Sequence, residues 1–431
     1  MKFIDLRLSE PILRAVADEG YHTATPIQAQ VIPHALTGRD VLGCARTGTG
    51  KTAAFALPVL HGFNKRSASE TRRRPRHLVL CPTRELAVQI GLSFETYGRY
   101  MSLRCAVVYG GVDQAKQVRA LRNGVDVLVA TPGRLLDLAD QGHAALDGVQ
   151  TLVLDEADRM LDMGFMPDIR RVLSQVPQRR QTMLFSATMP KEFRRLADRI
   201  LHKPVSVQVA DASNDVDQID QSVHFVERRQ KADLLAQVVR RHSITRALVF
   251  TRTKRGADRL VRHLQVRGLN AEAIHGNKSQ SRRLKSLERF RSGRLSLLIA
   301  TDVASRGIDV DGISHVFNYD LPHEPETYVH RIGRTGRAGR SGTAVSFCDG
   351  DERGHLDAIQ RRLQTRIRID CEPDGGHPSK ITSAAPATDA DRKDRQRRAP
   401  GRTGGARRGR SKKARRQVSA GTTSRNLNRH A

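Results

Sequence analysis

The chain has 431 residues, too many for one ordinary domain, and its Lys and Arg exceed its Asp and Glu by 74 − 45, a formal charge of +29. So large an excess points to a polyanionic partner, nucleic acid ahead of an anionic membrane. No run of 18 apolar residues occurs and charges break up Met1–Arg7, so neither a membrane span nor an export signal is expected, and the chain reads as soluble and cytoplasmic. The five scattered cysteines (Cys44, Cys81, Cys105, Cys348, Cys371) lack metal-ligand spacing and read as small hydrophobes in a reducing compartment.

Short apolar runs at 40–44, 77–81, 106–109, 125–130, 151–154 and 182–185 read as strands, and stretches such as 84–101 and 166–176 carry apolar residues at helical spacing. The alternation predicts an α/β fold whose parallel sheet has helices on both faces. It resumes after residue 220 with strands at 247–250, 271–275, 296–301, 315–319 and 343–347. A first domain over 1–209, a hinge linker at 210–221 rich in Asp, Ser and Gln, and a second domain over 222–370 are expected. Residues 371–431 hold 16 Lys or Arg against 5 acids and no aromatic residue, a net +11 that predicts a disordered basic tail.

The first strand runs into Ala45-Arg46-Thr47-Gly48-Thr49-Gly50-Lys51-Thr52 and then a helix-like stretch at 53–60. Strand, glycine-rich turn and helix is what a phosphate cradle needs: N–H groups approach phosphate oxygens, Lys51 adds charge, and Thr52 is a Mg²⁺ ligand candidate. Ala45 stands where the first glycine of that pattern is usual. About a hundred residues on, the apolar run at 152–154 ends in Asp155-Glu156-Ala157-Asp158. Asp155 at a strand end suits Mg²⁺ opposite Thr52, and Glu156 suits orienting or deprotonating a water; alone, the same acids suit a solvated helix start. In the second half, His330-Arg331-Ile332-Gly333-Arg334-Thr335-Gly336-Arg337 spaces arginines three apart, suited to reaching a γ-phosphate across a cleft.

Asp155-Glu156-Ala157-Asp158 is the motif of the DEAD-box ATP-dependent RNA helicases, and the chain resembles that family over roughly 3–350. The resemblance implies two tandem RecA-like domains that use ATP and Mg²⁺ to clamp, locally unwind and release RNA. Gly20-Tyr21 and Thr25-Pro26-Ile27-Gln28 resemble its Q motif, with Ala24 in place of a usual Pro; Gln28 would then read adenine and Phe3 stack on it. Thr47, Gly48, Thr49 and Gly50 would join Lys51 and Thr52 around the phosphates. Arg84, Gly110, Gly111, Thr131 and Arg134 in the first domain, with Gln280, Arg283, Thr301 and Asp302 in the second, match positions that contact RNA backbone. Asp158, Ser186, Thr188 and His330 match positions that couple hydrolysis to strand opening. Asp309 matches a nucleotide-binding position, while Arg334 and Arg337 match arginine fingers. His275–Gln280 is similar to the bacterial RhlE-like branch, and ribosomal precursors or the RNA-decay machinery are partners such a family implies. Two other readings remain open on residues alone: an RNA-binding or annealing scaffold driven by the tail, and a DNA-directed motor of the same superfamily.

Overall fold

The computed structural model describes residues 1–45, 48–63, 74–209, 219–305, 310, 312–336 and 341–370. Expectations for Arg46, Thr47, Asp309, Arg337, residues 210–218 and the tail from 371 lie outside them.

The first sheet is built from β1 (Val41–Cys44), β2 (His77–Leu80), β3 (Cys105–Val108), β4 (Val127–Ala130), β5 (Thr151–Leu154), β6 (Gln181–Ser186) and β7 (Val205–Gln208). The second comprises β8 (Ile219–Phe225), β9 (Ala247–Phe250), β10 (Ala271–Ile274), β11 (Leu297–Ala300), β12 (His315–Asn318), β13 (Gly342–Cys348) and β14 (Arg368–Ile369). Their orders are β3-β4-β2-β5-β6-β1-β7 and β10-β11-β9-β12-β13-β8-β14, so the second repeats the first with every strand number raised by seven. The ladders are parallel throughout.

Central strands such as β2, β4, β5, β9 and β11 are buried along their whole length, because helices cover both faces, so apolar residues dominate and only His77 and Thr151, at the starts of β2 and β5, are polar. Successive residues feed opposite cores: Val79, Val129, Val153 and Phe185 pack on one side of the first sheet, Leu80, Leu128, Leu154 and Leu184 on the other. Val249, Ile299 and Phe317 oppose Leu248, Leu298 and Val316 in the same way across the second.

The linker reading needs one correction. Ile219, Asp220 and Gln221, expected in the hinge, open β8, where Ile219 and Val223 turn into the core. β7, β8 and the two-residue β14 alternate polar with apolar residues or are very short, so they lack the continuous apolar run that marks the other strands.

Parallel strands place all their carboxyl ends along one edge of each sheet, the edge where loops meet ligands. The loop from Ala45 follows β1, Thr83–Arg84 follows β2, Thr131 follows β4, Asp155 follows β5, and Ser186 ends β6.

Candidate active site

The phosphate-loop candidate bends through Gly48 and Gly50, both in the left-handed region at φ 87° and 90°. At Gly50 a Cβ would stand 2.3 Å from Gln28 Nε2, and φ 90° would strain any residue that carries one. Gln28 holds that turn, accepting from Thr25 N at 2.9 Å and donating to Gly50 O at 3.1 Å. In this state the amide expected to read adenine ties the Thr25 segment to the loop. Phe3 is only 5% exposed and packs in the core, which leaves little ring surface for a base, whereas Tyr21 is 48% exposed.

The helix Lys51–Phe63 starts at the loop's end. Lys51 is buried and folds back, its Nζ donating to Ala45 O at 2.7 Å. Ala45 N in turn donates to Ser186 O at 3.0 Å, which fastens the start of the loop to the end of β6. The residue that replaces the usual glycine thus serves through its backbone, while its methyl group packs in the core.

Asp155 is 3% exposed at the end of β5. Burial pushes its carboxyl up to about 7, against the pull of the Lys51 ammonium and with help from the neighbouring Glu156 charge. The Asp155 carboxylate and the half-buried Thr52 hydroxyl are hard oxygen donors of the kind Mg²⁺ takes, and a buried acid raised this far is one that a divalent cation would hold ionised. Among the described residues no cluster of three His, Cys, Asp or Glu that could hold a metal ion occurs.

Glu156 adopts φ 51°, ψ 47°, left-handed for a residue with a Cβ, at the position just before the helix Ala157–Asp162, without a side-chain cap. That uncommon conformation aims a buried carboxylate at its own helix, where Arg159 Nη1 meets Glu156 Oε2 at 2.9 Å. Asp158 is anchored to the end of β6. Its Oδ2 accepts from Ala187 N at 3.1 Å, Thr188 N at 2.9 Å and Thr188 Oγ1 at 2.8 Å. Of the two hydroxyls at the coupling positions, that of Thr188 bonds Asp158, whereas Ser186 Oγ donates to Thr188 O at 2.5 Å.

The candidate RNA residues of the first half fall into two groups. The Arg84 guanidinium lies on Gly110 and Gly111, and a Cβ at Gly111, where φ is 76°, would come within 2.0 Å of Arg84 Nη1. Thr131 precedes the helix Pro132–Asp140, on which Arg134 pairs with Asp137 at 3.3 Å and keeps a buried Nη1 without a hydrogen-bond partner.

In the second half, Gln280 and Arg283 lie on the helix Gln280–Arg291 and point at the first half. Gln280 Nε2 donates to Glu85 Oε1 at 2.9 Å and Arg283 Nη2 reaches the same oxygen at 2.8 Å; further along, Arg291 Nη2 donates to Gln89 Oε1 at 3.3 Å. Glu85 and Gln89 share the helix Arg84–Tyr97, whose N-terminus is capped by Thr83 Oγ1 accepting from Leu86 N at 3.3 Å. Burial lowers the Arg283 pKa while the Glu85 charge works against that, so this is a partly desolvated ion pair joining the halves. Glu85 was absent from the expected site because an acid beside Arg84 looks like ordinary helix-start chemistry.

Asp302, expected to face RNA, is gripped by Arg331 through Nε–Oδ1 at 2.6 Å and Nη2–Oδ2 at 2.8 Å. Arg331, 2% exposed, also donates to Asn318 Oδ1 at 3.2 Å and Asp320 O at 2.7 Å, and lies over the Phe250 ring. It is the anchor of the arginine segment and was not singled out by spacing, which treats all three arginines alike. Thr301 and Arg334 are buried, and His330 is exposed.

Comparison with known proteins decides the family. Residues 25–196 match the DEAD/DEAH box helicase family and 230–339 the helicase conserved C-terminal domain. The chain is 44% identical to the DEAD-box ATP-dependent RNA helicase CshA of Bacillus cereus over 365 residues, 85% of this chain and 69% of that protein.

The chain belongs to the DEAD-box helicases.

The helicase is also 45% identical to CshA of Geobacillus kaustophilus, covering 85% of this chain and 77% of the relative. Among solved structures it resembles Saccharomyces cerevisiae Dbp5 bound to RNA and ADP BeF3, with a TM-score of 0.75, 32% identity, and coverage of 85% of this chain and 94% of that one. Mss116p bound to single-stranded RNA and AMP-PNP gives a TM-score of 0.76 at 28% identity, covering 87% and 80%. The two sheets of this helicase are therefore tandem RecA-like domains. No described helix is long and apolar enough to cross a membrane.

Proposed function

We propose that this ATP-dependent RNA helicase works as a clamp whose closing contact is the buried Glu85 carboxylate on Gln280 and Arg283. That contact carries the reading: it joins the helix bearing Arg84 to the helix bearing Arg283. Both helices bear residues that match RNA-contacting positions.

In the first half Lys51 leaves Ala45 O for the outer phosphates of ATP, and the N–H groups around Gly48–Gly50 hold them. Mg²⁺, held by Asp155 and Thr52, would neutralise charge on the phosphates. Glu156 orients the attacking water and accepts its proton, and Arg159 fixes the carboxylate until the site is complete. Arg334 and Arg337 arrive from the second half and stabilise charge on the departing phosphate. Asp158 and the Ser186–Thr188 turn report the nucleotide state to the end of β6.

Arg84, Gly111, Thr131 and Arg134 grip phosphates and sugars without reading bases. A closed clamp that accepts only a bent single strand unpairs a few bases when it closes on a duplex, and hydrolysis lets go. Cytoplasmic structured RNAs, such as ribosomal precursors or decaying transcripts, suit this chemistry. ATP turnover of the wild type and Lys51→Ala with single-stranded RNA, duplex RNA and single-stranded DNA tests it. Stimulation by RNA that Lys51→Ala abolishes is expected; equal turnover without nucleic acid, or stimulation by DNA alone, overturns it.

A further inference from the structure

The helix Lys254–Val266 begins at the carboxyl end of β9, where Thr253 Oγ1 caps it by accepting from Gly256 N at 3.0 Å. Its inner face, Ala257, Leu260 and Leu264, is buried. Its outer face carries Arg255, Arg259 and Arg262, all exposed and spaced by four and three residues, so they form one stripe. No ion pair holds any of the three among the described residues; Arg262 Nε donates weakly to Asp258 O on its own helix at 3.4 Å.

The acids nearby are already committed. Asp258 takes Lys278 at 2.8 Å and His275 at 3.1 Å, Asp233 takes Arg267 and His263, and Asp320 accepts from Arg252 N at 2.8 Å. Beside the stripe runs a groove of about 410 Å³ lined by Arg259, Arg262, His263, Val266 and Arg267. The stripe's upper end meets the cleft, since Lys254 Nζ donates to Asn277 Oδ1 at 3.0 Å in the loop that leads to Gln280. Arg228, exposed in the loop after β8, extends the positive surface: its charge and that of Arg259 both bear on the half-buried Tyr319 hydroxyl.

We propose that Arg255, Arg259 and Arg262 form a second RNA-backbone track, which holds the part of the substrate that leaves the central cleft over the second domain. Seven residues of helix rise cover about 10 Å, the length over which one strand of a duplex presents about three phosphates. Three guanidiniums meet three phosphates. The groove is lined by arginines, Val266 and His263, whose ring is paired to Asp233, and by no Phe, Tyr or Trp, so it grips backbone and reads no base.

The proposal rests on RNA being the substrate, and its test separates the two. Binding by the full chain with AMP-PNP is measured by fluorescence anisotropy for a single strand of about eight nucleotides, enough for the cleft, and for the same strand continued into a duplex at one end or the other. Arg255→Gln/Arg259→Gln/Arg262→Gln should leave the short strand and its stimulation of ATP turnover unchanged. It should weaken one of the two extended RNAs and lower the salt slope by about 2.7, so the wild-type advantage shrinks about 40-fold between roughly 50 and 200 mM salt. An unchanged affinity and slope on both extended RNAs overturns the track and leaves the stripe to an acidic protein. An equal loss on short and extended RNA also overturns it. Failure of the wild type to bind the short strand would sink the clamp reading itself.

Discussion

Glu85→Gln keeps the shape of the interdomain contact and removes its charge. The amide oxygen can still accept from Gln280, so the loss falls on Arg283, whose side chain is 14% exposed. A charged hydrogen bond contributes about 1.5–3 kcal/mol, and stranding one member of a fully buried pair costs about 3–5 kcal/mol. Arg283 regains water when the halves part, so about 2–3 kcal/mol is expected, a 30- to 150-fold fall in the ratio of joined to parted forms. The RNA concentration for half-maximal ATP turnover should rise accordingly, and a fluorophore pair across the halves should report less closure with RNA and AMP-PNP. Arg283→Ala should cost at least as much, and the double variant little more than Arg283→Ala alone. Any excess of Arg283→Ala over Glu85→Gln combines the stranded Glu85 carboxylate with a phosphate contact by Arg283. Additive single effects, with a coupling below about 0.5 kcal/mol, would refute the clasp.

Glu156→Gln should retain ATP binding, stall turnover and trap RNA on the enzyme; unchanged turnover in a stopped assay would remove Glu156 from water activation. Arg331→Ala should destabilise the second domain by about 2–3 kcal/mol in urea, because Asn318 and the Phe250 face lose a buried partner while Asp302, 33% exposed, regains water; a loss near zero would make Arg331 a surface residue in energetic terms. His77, buried at the start of β2, has its pKa lowered to about 4 by burial, with Arg76 adding to it. Its folded pKa lies below the unfolded 6.5, so only the unfolded chain takes the proton as pH falls, and stability is lost from about pH 6.5 down to about 4, by roughly 3 kcal/mol at most. His77→Gln should flatten that part of the unfolding profile; an identical profile would assign the loss to other groups.

Much of this was legible because parallel strands buried on both faces write long apolar runs, and the chemistry follows each run directly: Lys51 after β1, Arg84 after β2, Asp155 after β5. The edge strands were not, since β7 and β8 mix polar with apolar residues and resemble linker. Local motif reading also misses partnerships made across the fold. Glu85 meets Arg283 across 198 positions of sequence, and Arg331 holds Asp302 while its neighbour Arg334, three residues on, points to a different task. Nothing in spacing distinguishes Arg331 from Arg334, and both are buried; the bidentate grip on Asp302 is what marks Arg331 as the anchor.

The bond from Lys51 to Ala45 O turns nucleotide capture into an exchange reaction. The ammonium is never bare: an incoming phosphate must displace a carbonyl already seated on it, and the carbonyl is waiting when phosphate departs. Ligands are therefore ranked by how well they outbid that internal rival. A nucleotide with its full set of outer phosphates does so, whereas AMP, which has none to offer, leaves the lysine where it lies. Discrimination against a nucleotide that lacks outer phosphates can thus begin in the backbone of the loop itself, at Ala45 O.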